Sequence, residues 1–331
     1  MFVIGECDDL FPRRKSKRNQ QGGTGVKGFF KEIRKSRTLL LMLLPAVVII
    51  FIFAYLPMGG MVLAFKKFNY RDGILKSPWV DGLFDNFRFF FLSGKASAVT
   101  VNTFLYNLSF IIVNTFLAVA FAVILSEAVN RHFKKITQSA IFLPYFVSWV
   151  IVGTIAYNLF NYENGVVNAV LEVFHMEPVD VYSKGPLWRF LIVAFNAWKS
   201  VGYCMVVYLA AATGVDMQLH ESAKIDGANI FQRVRHITLP GILPTIVTMV
   251  LLDVSKIFRG NLDLFYQLIG KNGALYDATD VIDTFVFRSL LETSDIGMAA
   301  AAGFYQSVLC FVTIMIVNSI VKRVSSDYAL F

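Results

Sequence analysis

Residues 221–240 (ESAKIDGANIFQRVRHITLP) combine ionisable side chains, a turn signal and an apolar stripe in one short stretch. Glu221 can form an ion pair with a partner, and Asp226-Gly227 is a dipeptide typical of a sharp turn. A short helix is expected before the turn, with its buried side formed by Leu219, Ala223 and Ser222. After it, apolar side chains at three-residue spacing predict a second short helix: Ala228, Phe231 and Val234. Periodicity alone equally permits a hairpin that only joins its neighbours. The outward carboxylate, turn glycine and aromatic side chain favour a surface that docks on another protein.

Residue types that carry catalysis, or that bind metals and nucleotides, are not clustered in this chain. The histidines are spaced too widely to suggest a shared site: His132, His175, His220 and His236. The cysteines are odd in number and scattered, which indicates neither a disulfide nor a metal site: Cys7, Cys204 and Cys310. Residues Gln20–Gly28 contain glycines and a lysine but lack the Gly-Lys-Ser/Thr ending of a phosphate-binding loop. We therefore expect no catalytic residue, no metal and no bound cofactor.

The elements that must position residues 221–240 are long apolar segments. Hydrophobic residues make up 56% of the chain and charged residues only 16%, whereas soluble domains carry about 25% charged residues. A bilayer span needs roughly 20 consecutive apolar residues. Six segments approach or meet this length, one of them short and one interrupted by Arg189 and Lys199: Thr38–Phe65, Ala96–Ser126, Ile136–Tyr162, Leu187–Val215, His236–Leu252 and Ile296–Val321. The expected fold is all-α, a polytopic membrane protein with six transmembrane helices.

Basic residues in the loops predict the orientation. Taken together, the two ends, the loop after the second span and residues 216–240 carry more Lys and Arg than Asp and Glu, and the alternate segments carry an acidic excess. We expect both termini and residues 216–240 on the cytoplasmic side. The N-terminus does not resemble a secretory signal, because acidic and then basic residues precede the first apolar run. Arg13–Arg18 (RRKSKR) is interpreted as a retention signal beside a first span rather than as a nucleic-acid patch.

A single membrane domain is expected over residues 38–321. Residues 1–37 are expected to form a basic cytoplasmic tail with a short amphipathic helix, and residues 322–331 a short cytoplasmic tail. Lys66–Lys95 should fold over the outer surface. The early part of Lys256–Asp295 should re-enter the membrane or line a cavity.

Residues 221–240 resemble the E-A-A coupling signature of permease subunits in ATP-binding-cassette (ABC) importers. That pattern is Glu-Ala-Ala, three residues, Gly, nine residues and Ile-x-Leu-Pro. This chain has Glu221-Ser222-Ala223, Gly227 and Ile237–Pro240 at the same spacing, with Ser222 as the one departure. Similarity to the family extends over about residues 35–331 and is strongest with the oligosaccharide branch, alongside the first membrane subunit of maltose-type systems. The resemblance implies a type I importer permease in the bacterial inner membrane.

The resemblance also implies partners and residue roles. Half of the pathway would come from a second permease subunit, and two ATPase subunits would hold the ATP and Mg²⁺ and hydrolyse the ATP, so that this chain is not itself an enzyme. An extracytoplasmic sugar-binding protein would deliver the cargo. The permease would be surrounded by membrane lipid, and no nucleic acid would be a partner. Glu221 would pair with an arginine of the ATPase subunit, Gly227 would form the bend, and Ala228 and Phe231 would fill a cleft of the ATPase. The full set expected in coupling is Glu221, Ser222, Ala223, Asp226, Gly227, Ala228, Phe231 and Pro240.

Candidate pathway residues follow from charge and from the resemblance. Lys199 lies inside a span, where charged residues usually face a cavity or a partner, although a helix–helix contact or a snorkelled side chain is the alternative. Tyr203, one turn on, could stack on a sugar ring or only pack. Related permeases place sugar-contacting residues after the fifth span, at positions that could equally form a salt-bridged hinge: Arg259, Asn261 and Asp263.

Basic side chains favour an acidic oligosaccharide as cargo, such as an alginate or pectin fragment, with a neutral oligosaccharide as the close alternative. These side chains are Lys66, Lys67, Arg71, Arg88, Lys199 and Arg259. An ion-coupled secondary sugar transporter is the alternative function, but it would need acidic residues inside the spans, and only Asp253 sits at the edge of one. A membrane enzyme would need convergent catalytic side chains, and a scaffold would leave residues 221–240 unexplained.

Overall fold

The computed structural model describes residues 37–82, 84–92 and 94–324. The predicted all-α class is confirmed, since these residues form helices and no strand, apart from one isolated bridge between Lys66 and Trp79. The chain divides into two compact units, Met1–Gly59 and Gly60–Phe331. The expected tail with its amphipathic helix, and residues 325–331, lie outside the described residues.

Helices follow one another along the chain with short connections. In order they are α1 Arg37–Ile50, α2 Gly73–Lys76, α3 Asp85–Leu92, α4 Lys95–Glu127, α5 Arg131–Phe142, α6 Trp149–Phe160, α7 Val166–Val173, α8 Gly185–Thr213, α9 Met217–Ile225, α10 Ile230–Arg233, α11 Leu239–Val254, α12 Leu262–Ile269, α13 Tyr276–Thr279, α14 Ile282–Leu291 and α15 Ile296–Val324. A π-helical turn and a 3-10 segment continue α1 as far as Phe65, a 3-10 turn extends α5 to Phe146, and π-helical Val234–Thr238 joins α10 to α11.

Five of the described helical segments are long and apolar enough to cross a membrane. They are Thr38–Phe65, Lys95–Glu127, Gly185–Thr213, Ile230–Val254 and Ile296–Arg323. Each contains or overlaps one of the predicted spans. The largest difference is in the segment that matches the predicted span His236–Leu252, which begins at Ile230 because the helix of the preceding loop runs directly into it.

The predicted third span, Ile136–Tyr162, is broken. The segments Arg131–Phe146 and Trp149–Phe160 meet at an angle of 94°. Pro144 lies in the 3-10 turn before the break and cannot donate a backbone hydrogen bond. Ser148 then caps α6, its hydroxyl accepting from the Ile151 N–H at 3.4 Å. Taken as one span, this bent pair brings the number of candidate spans to six.

Within the second unit, α8 packs against both α4 and α5. One buried cluster joins α4 to α8 and consists mainly of small and medium side chains: Ala118, Ala122, Leu125, Ala197, Val201, Met205, Tyr208 and Leu209. Small residues let helices approach closely in a membrane. Gly202 permits a second close approach, since a Cβ there would lie 2.2 Å from the carbonyl oxygen of Ile141 in α5. The loop after α8 is therefore attached to a closely packed helix.

The segment 256–295 packs on the same unit. Leu264, Phe265 and Leu268 of α12 are buried in a cluster with Tyr106 of α4 and Trp188 of α8. The apolar side of α12 thus contacts other helices rather than forming a free surface.

Candidate coupling surface

The expected coupling loop, 216–240, contains the two short helices and the turn predicted for it. At the end of α9 the Gly227 N–H donates to the Lys224 carbonyl at 3.1 Å, and the Ala228 N–H donates to the Ala223 carbonyl at 2.8 Å. This pair of bonds is a Schellman motif, which places the residue after the helix in the left-handed region. Gly227 occupies that position with φ 81°, so the turn requires this backbone conformation.

A capping box starts the second helix directly after the turn. The Gln232 N–H donates to the Asn229 side chain at 2.9 Å, and the Asn229 N–H donates to the Gln232 side chain at 2.8 Å. These reciprocal bonds satisfy two backbone donors that a helix start leaves free. The hairpin formed by α9 and α10 is therefore fixed at its bend by both helix ends.

The hairpin presents exposed apolar side chains at its bend. Ile225 is 86% exposed and Phe231 73% exposed. Two residues that the sequence places on the buried side of the first helix, Leu219 and Ser222, are exposed, so that part of the assignment is wrong. The other residues expected in coupling divide between two environments: Glu221, Ser222, Asp226 and Pro240 are exposed, and Ala223 and Ala228 are half-buried. An exposed carboxylate beside exposed apolar groups can form both an ion pair and an apolar contact with a partner.

Pro240 lies in the first turn of the α-helix α11, a position where a proline is common. Helical backbone runs from Ile230 to Val254 without a break, and Pro240 lies inside it. Only Leu239 separates the π-helical turn Val234–Thr238 from the proline, and this widened turn accommodates the missing backbone donor. The hairpin is thus continuous with a candidate membrane span.

An ion pair that the sequence does not suggest attaches the hairpin to α4. Arg233 is buried, and its Nη2 lies 2.7 Å from Oε2 of Glu127, the last residue of α4. Its Nη1 donates to the Ala228 carbonyl at 3.2 Å, and His220 Nδ1 lies 4.0 Å from the same carboxylate. The pair joins residues 106 positions apart in the sequence, and no local pattern indicates such a contact.

Two of the expected pathway residues lie at the break between α5 and α6. Lys199 Nζ donates to the carbonyl oxygen of Tyr145 at 2.7 Å and to that of Val147, and it lies 5.4 Å from the centre of the Trp149 ring. The Tyr203 ring stacks on that of Tyr145 at 5.0 Å. Of the alternatives open from the sequence, the structure thus shows helix contacts for both side chains.

The other three expected pathway residues lie where α11 gives way to α12. Asn261 caps α12, its side-chain oxygen accepting from the Leu264 N–H at 3.1 Å. Asp263 is exposed in the first turn of α12, where a carboxylate is favourable. Arg259 is exposed, and its carbonyl accepts from Asn107 Nδ2 at 3.2 Å. Among the described residues, no salt bridge joins Arg259 to Asp263, and no hydrogen bond or ion pair joins either to Lys199 or Tyr203.

Two carboxylates near these residues are held in polar clusters that the sequence does not reveal. Arg288 pairs with Asp280 through both carboxylate oxygens and lies 3.9 Å from the centre of the Tyr276 ring. Asp283 accepts from the Gly260 N–H at 2.6 Å and from the side-chain amide of Gln306 at 2.7 Å. Burial raises the pKa of Asp283, against the lowering effect of these bonds.

Lys66, one of the basic residues that favour an acidic cargo, is not available to a ligand. Its side chain is buried, with Nζ donating to the carbonyls of Ile74 at 3.0 Å and Leu75 at 2.7 Å. Lys199 is likewise engaged by backbone carbonyls. The exposed basic residues that remain are Lys67, Arg71, Arg88 and Arg259.

Known proteins resemble this chain along most of its length. The family model for binding-protein-dependent transport system inner membrane components matches residues 91–326. Protein LplB of Bacillus subtilis is 28% identical over 96% of this chain and 99% of its own length. The polygalacturonan/rhamnogalacturonan transport system permease protein YteP, also of Bacillus subtilis, is 30% identical over 90% of this chain and 94% of its own length. A crystal structure of a bacterial ABC transporter involved in the import of the acidic polysaccharide alginate matches with a TM-score of 0.80 and 28% identity, covering 90% of this chain and 99% of that chain.

Proposed function

We propose a specific role within an importer for this chain, which belongs to the family of binding-protein-dependent transport system inner membrane components. The chain is a multi-pass membrane permease with the helical fold of type I ABC importers. In our proposal it forms half of the pathway for an oligosaccharide and is driven by a separate ATPase through residues 216–240.

The observation that carries the coupling role is the hairpin itself. Its bend is fixed by a left-handed glycine and a capping box, and its apolar side chains face outwards instead of into the fold. An exposed Phe231 is unfavourable in water, and burial of an aromatic anchor is a frequent source of binding energy at interfaces. A rigid projection of this kind suits transmission of a rigid-body motion.

Within this proposal the ATPase subunits bind and hydrolyse ATP with Mg²⁺. Glu221 pairs with an arginine of the ATPase, Phe231 and Ala228 enter its cleft, and Gly227 sets the bend. A second permease completes the pathway, and an extracytoplasmic binding protein supplies the sugar. The hairpin and both termini lie on the cytoplasmic side, as the distribution of basic residues predicts.

Co-purification with the ATPase subunit tests the coupling role. Phe231→Asp places a charge on the docking surface, and we expect it to abolish co-purification from cells expressing the whole transporter. Phe174→Asp is the matched control, because Phe174 is 69% exposed and lies just after α7, far from the hairpin in the sequence. Equal recovery of the ATPase with both variants would contradict the proposal.

An acidic oligosaccharide is the proposed cargo. The names of YteP and of the alginate transporter refer to uronate-containing polysaccharides, and four of the basic residues that favour such a cargo are exposed. Uptake into proteoliposomes of an oligogalacturonate and of its carboxyl-reduced counterpart separates acidic from neutral cargo. We expect faster uptake of the acidic form, and equal rates would refute this part while leaving the coupling role intact.

A further inference from the structure

A cavity of about 390 Å³ lies beneath the hairpin. Its walls come from the end of α4, from α5, from the end of α8 and from both arms of the hairpin. The charged or ionisable residues of the wall are Glu127, Lys134, His220, Lys224 and Arg233, and its hydroxyl residues are Ser126, Thr213 and Thr238. Because α4 and α8 are candidate spans that end here, the cavity lies at the level where membrane helices leave the apolar layer.

Two buried polar atoms in this wall have no hydrogen-bond partner among the described residues. They are Nε of Arg233, a side chain only 8% exposed, and Oγ1 of Thr238, a residue 1% exposed. A threonine in an α-helix commonly bonds to the carbonyl four residues back. For Thr238 this carbonyl belongs to Val234, and in the π-helical turn that Thr238 ends it already accepts from the Leu239 N–H. Arg233 and Thr238 both line the cavity, and the burial of these two atoms without a partner is unfavourable, so a ligand that supplied an acceptor oxygen to them would be stabilised.

The charge of the wall is positive. The Glu127 carboxylate is already paired with Arg233 and faces His220. Lys134 and Lys224 add two ammonium groups, and in the described part of the chain neither has a carboxylate within ion-pair distance. A bound anion would thus meet two uncompensated positive charges as well as two free donors.

We propose that this cavity binds a phosphate group. A phosphate offers several strong acceptor oxygens, which match a guanidinium N–H, a hydroxyl and two ammonium groups better than a single carboxylate does. The phosphate comes either from an anionic lipid headgroup or from free phosphate in solution. Binding at this position connects the hairpin to the ends of α4 and α5.

Binding to the purified full-length chain tests this site without the ATPase. One arm uses inorganic phosphate with lipid-free protein in detergent, and the other uses nanodiscs of phosphatidylcholine with or without phosphatidylglycerol. The readout is the rise in the midpoint of thermal unfolding as phosphate or phosphatidylglycerol is increased, from which the apparent affinity follows.

The variants are Lys134→Gln and Thr238→Val, with Lys135→Gln as the matched control. Lys135 is adjacent in sequence and exposed, and it does not line the cavity. We expect Lys134→Gln to weaken binding by roughly tenfold or more, as the loss of a charge-assisted bond does, and Thr238→Val to weaken it several-fold. Lys135→Gln should bind as the wild type does. Comparison of each variant with its own ligand-free midpoint removes any effect of the substitution on folding.

Stabilisation by inorganic phosphate with this variant pattern identifies free phosphate as a sufficient ligand. The same pattern only in nanodiscs with phosphatidylglycerol identifies the lipid headgroup. The proposal is overturned if neither ligand stabilises the chain, or if Lys134→Gln and Thr238→Val respond as Lys135→Gln does.

Discussion

Substitution of Gly227 tests whether the hairpin requires a left-handed backbone conformation at its bend or only the absence of a side chain there. Gly227 has φ 81°, and a Cβ at this position would meet nothing within 4 Å. The whole cost of a larger residue is therefore backbone strain, roughly 1–2 kcal/mol for an ordinary L-residue. Each 1.4 kcal/mol shifts the equilibrium between native and rearranged hairpins about tenfold. Asparagine tolerates the left-handed region better than alanine does, and β-branched valine tolerates it worst.

We therefore expect a graded loss of coupling in the order Gly227→Asn, Gly227→Ala, Gly227→Val. The assay is ATP hydrolysis stimulated by the loaded binding protein, together with uptake, in proteoliposomes containing the whole transporter. Gly227→Val should lose most transport, while the binding protein still captures its ligand. If Gly227→Asn fails as badly as Gly227→Val at equal assembly, the absence of a side chain matters and the strain argument is refuted. Normal uptake by all three variants would refute the coupling role.

Three further substitutions test contacts that hold the fold, each measured by thermal unfolding in detergent. Glu127→Gln leaves the buried Arg233 guanidinium without its ionic partner, a change that costs about 3–5 kcal/mol, so the midpoint of unfolding should fall. The double variant Glu127→Arg with Arg233→Glu, which exchanges the two charges, should recover part of the loss. An unchanged midpoint in Glu127→Gln would contradict this. Lys199→Met removes the donor to two backbone carbonyls and should lower the midpoint, whereas Lys184→Met, at an exposed lysine, should not. Gly202→Ala forces a Cβ to within 2.2 Å of a backbone oxygen in α5 and should cost about 1–3 kcal/mol; equal stability would show that the helices can separate without penalty.

Local patterns were sufficient for the spans and for the hairpin. Apart from the short run His236–Leu252, the apolar runs are longer than a bilayer requires, so their positions could be predicted from composition alone. Spacing also located the bend, because Asp226 and Gly227 interrupt an otherwise helical pattern. Family membership decides between an ABC importer and an ion-coupled transporter. From the sequence, only the resemblance of residues 221–240 to the coupling signature favoured the importer.

Features that depend on distant contacts could not be predicted. The break near Ser148 lies inside a uniformly apolar run, and the residue that holds its carbonyls, Lys199, is more than 50 positions away. The pair between Glu127 and Arg233 spans 106 positions. Pro240 does mark the start of the α-helix α11, but the widened turn before it lets helical backbone extend back to Ile230, which the proline conceals in the sequence. The roles of the coupling and pathway residues stay predictions.

The unbroken helix from Ile230 to Val254 has a mechanical consequence. Its 25 residues correspond to a rod of about 37 Å at 1.5 Å per residue. A rod tilted by about 10° moves its far end by roughly 6 Å, a distance comparable to one turn of an α-helix. Under the proposed coupling role, a motion of the hairpin that tilts this helix about a point near Phe231 would displace most the opposite end, next to Arg259 and the start of α12.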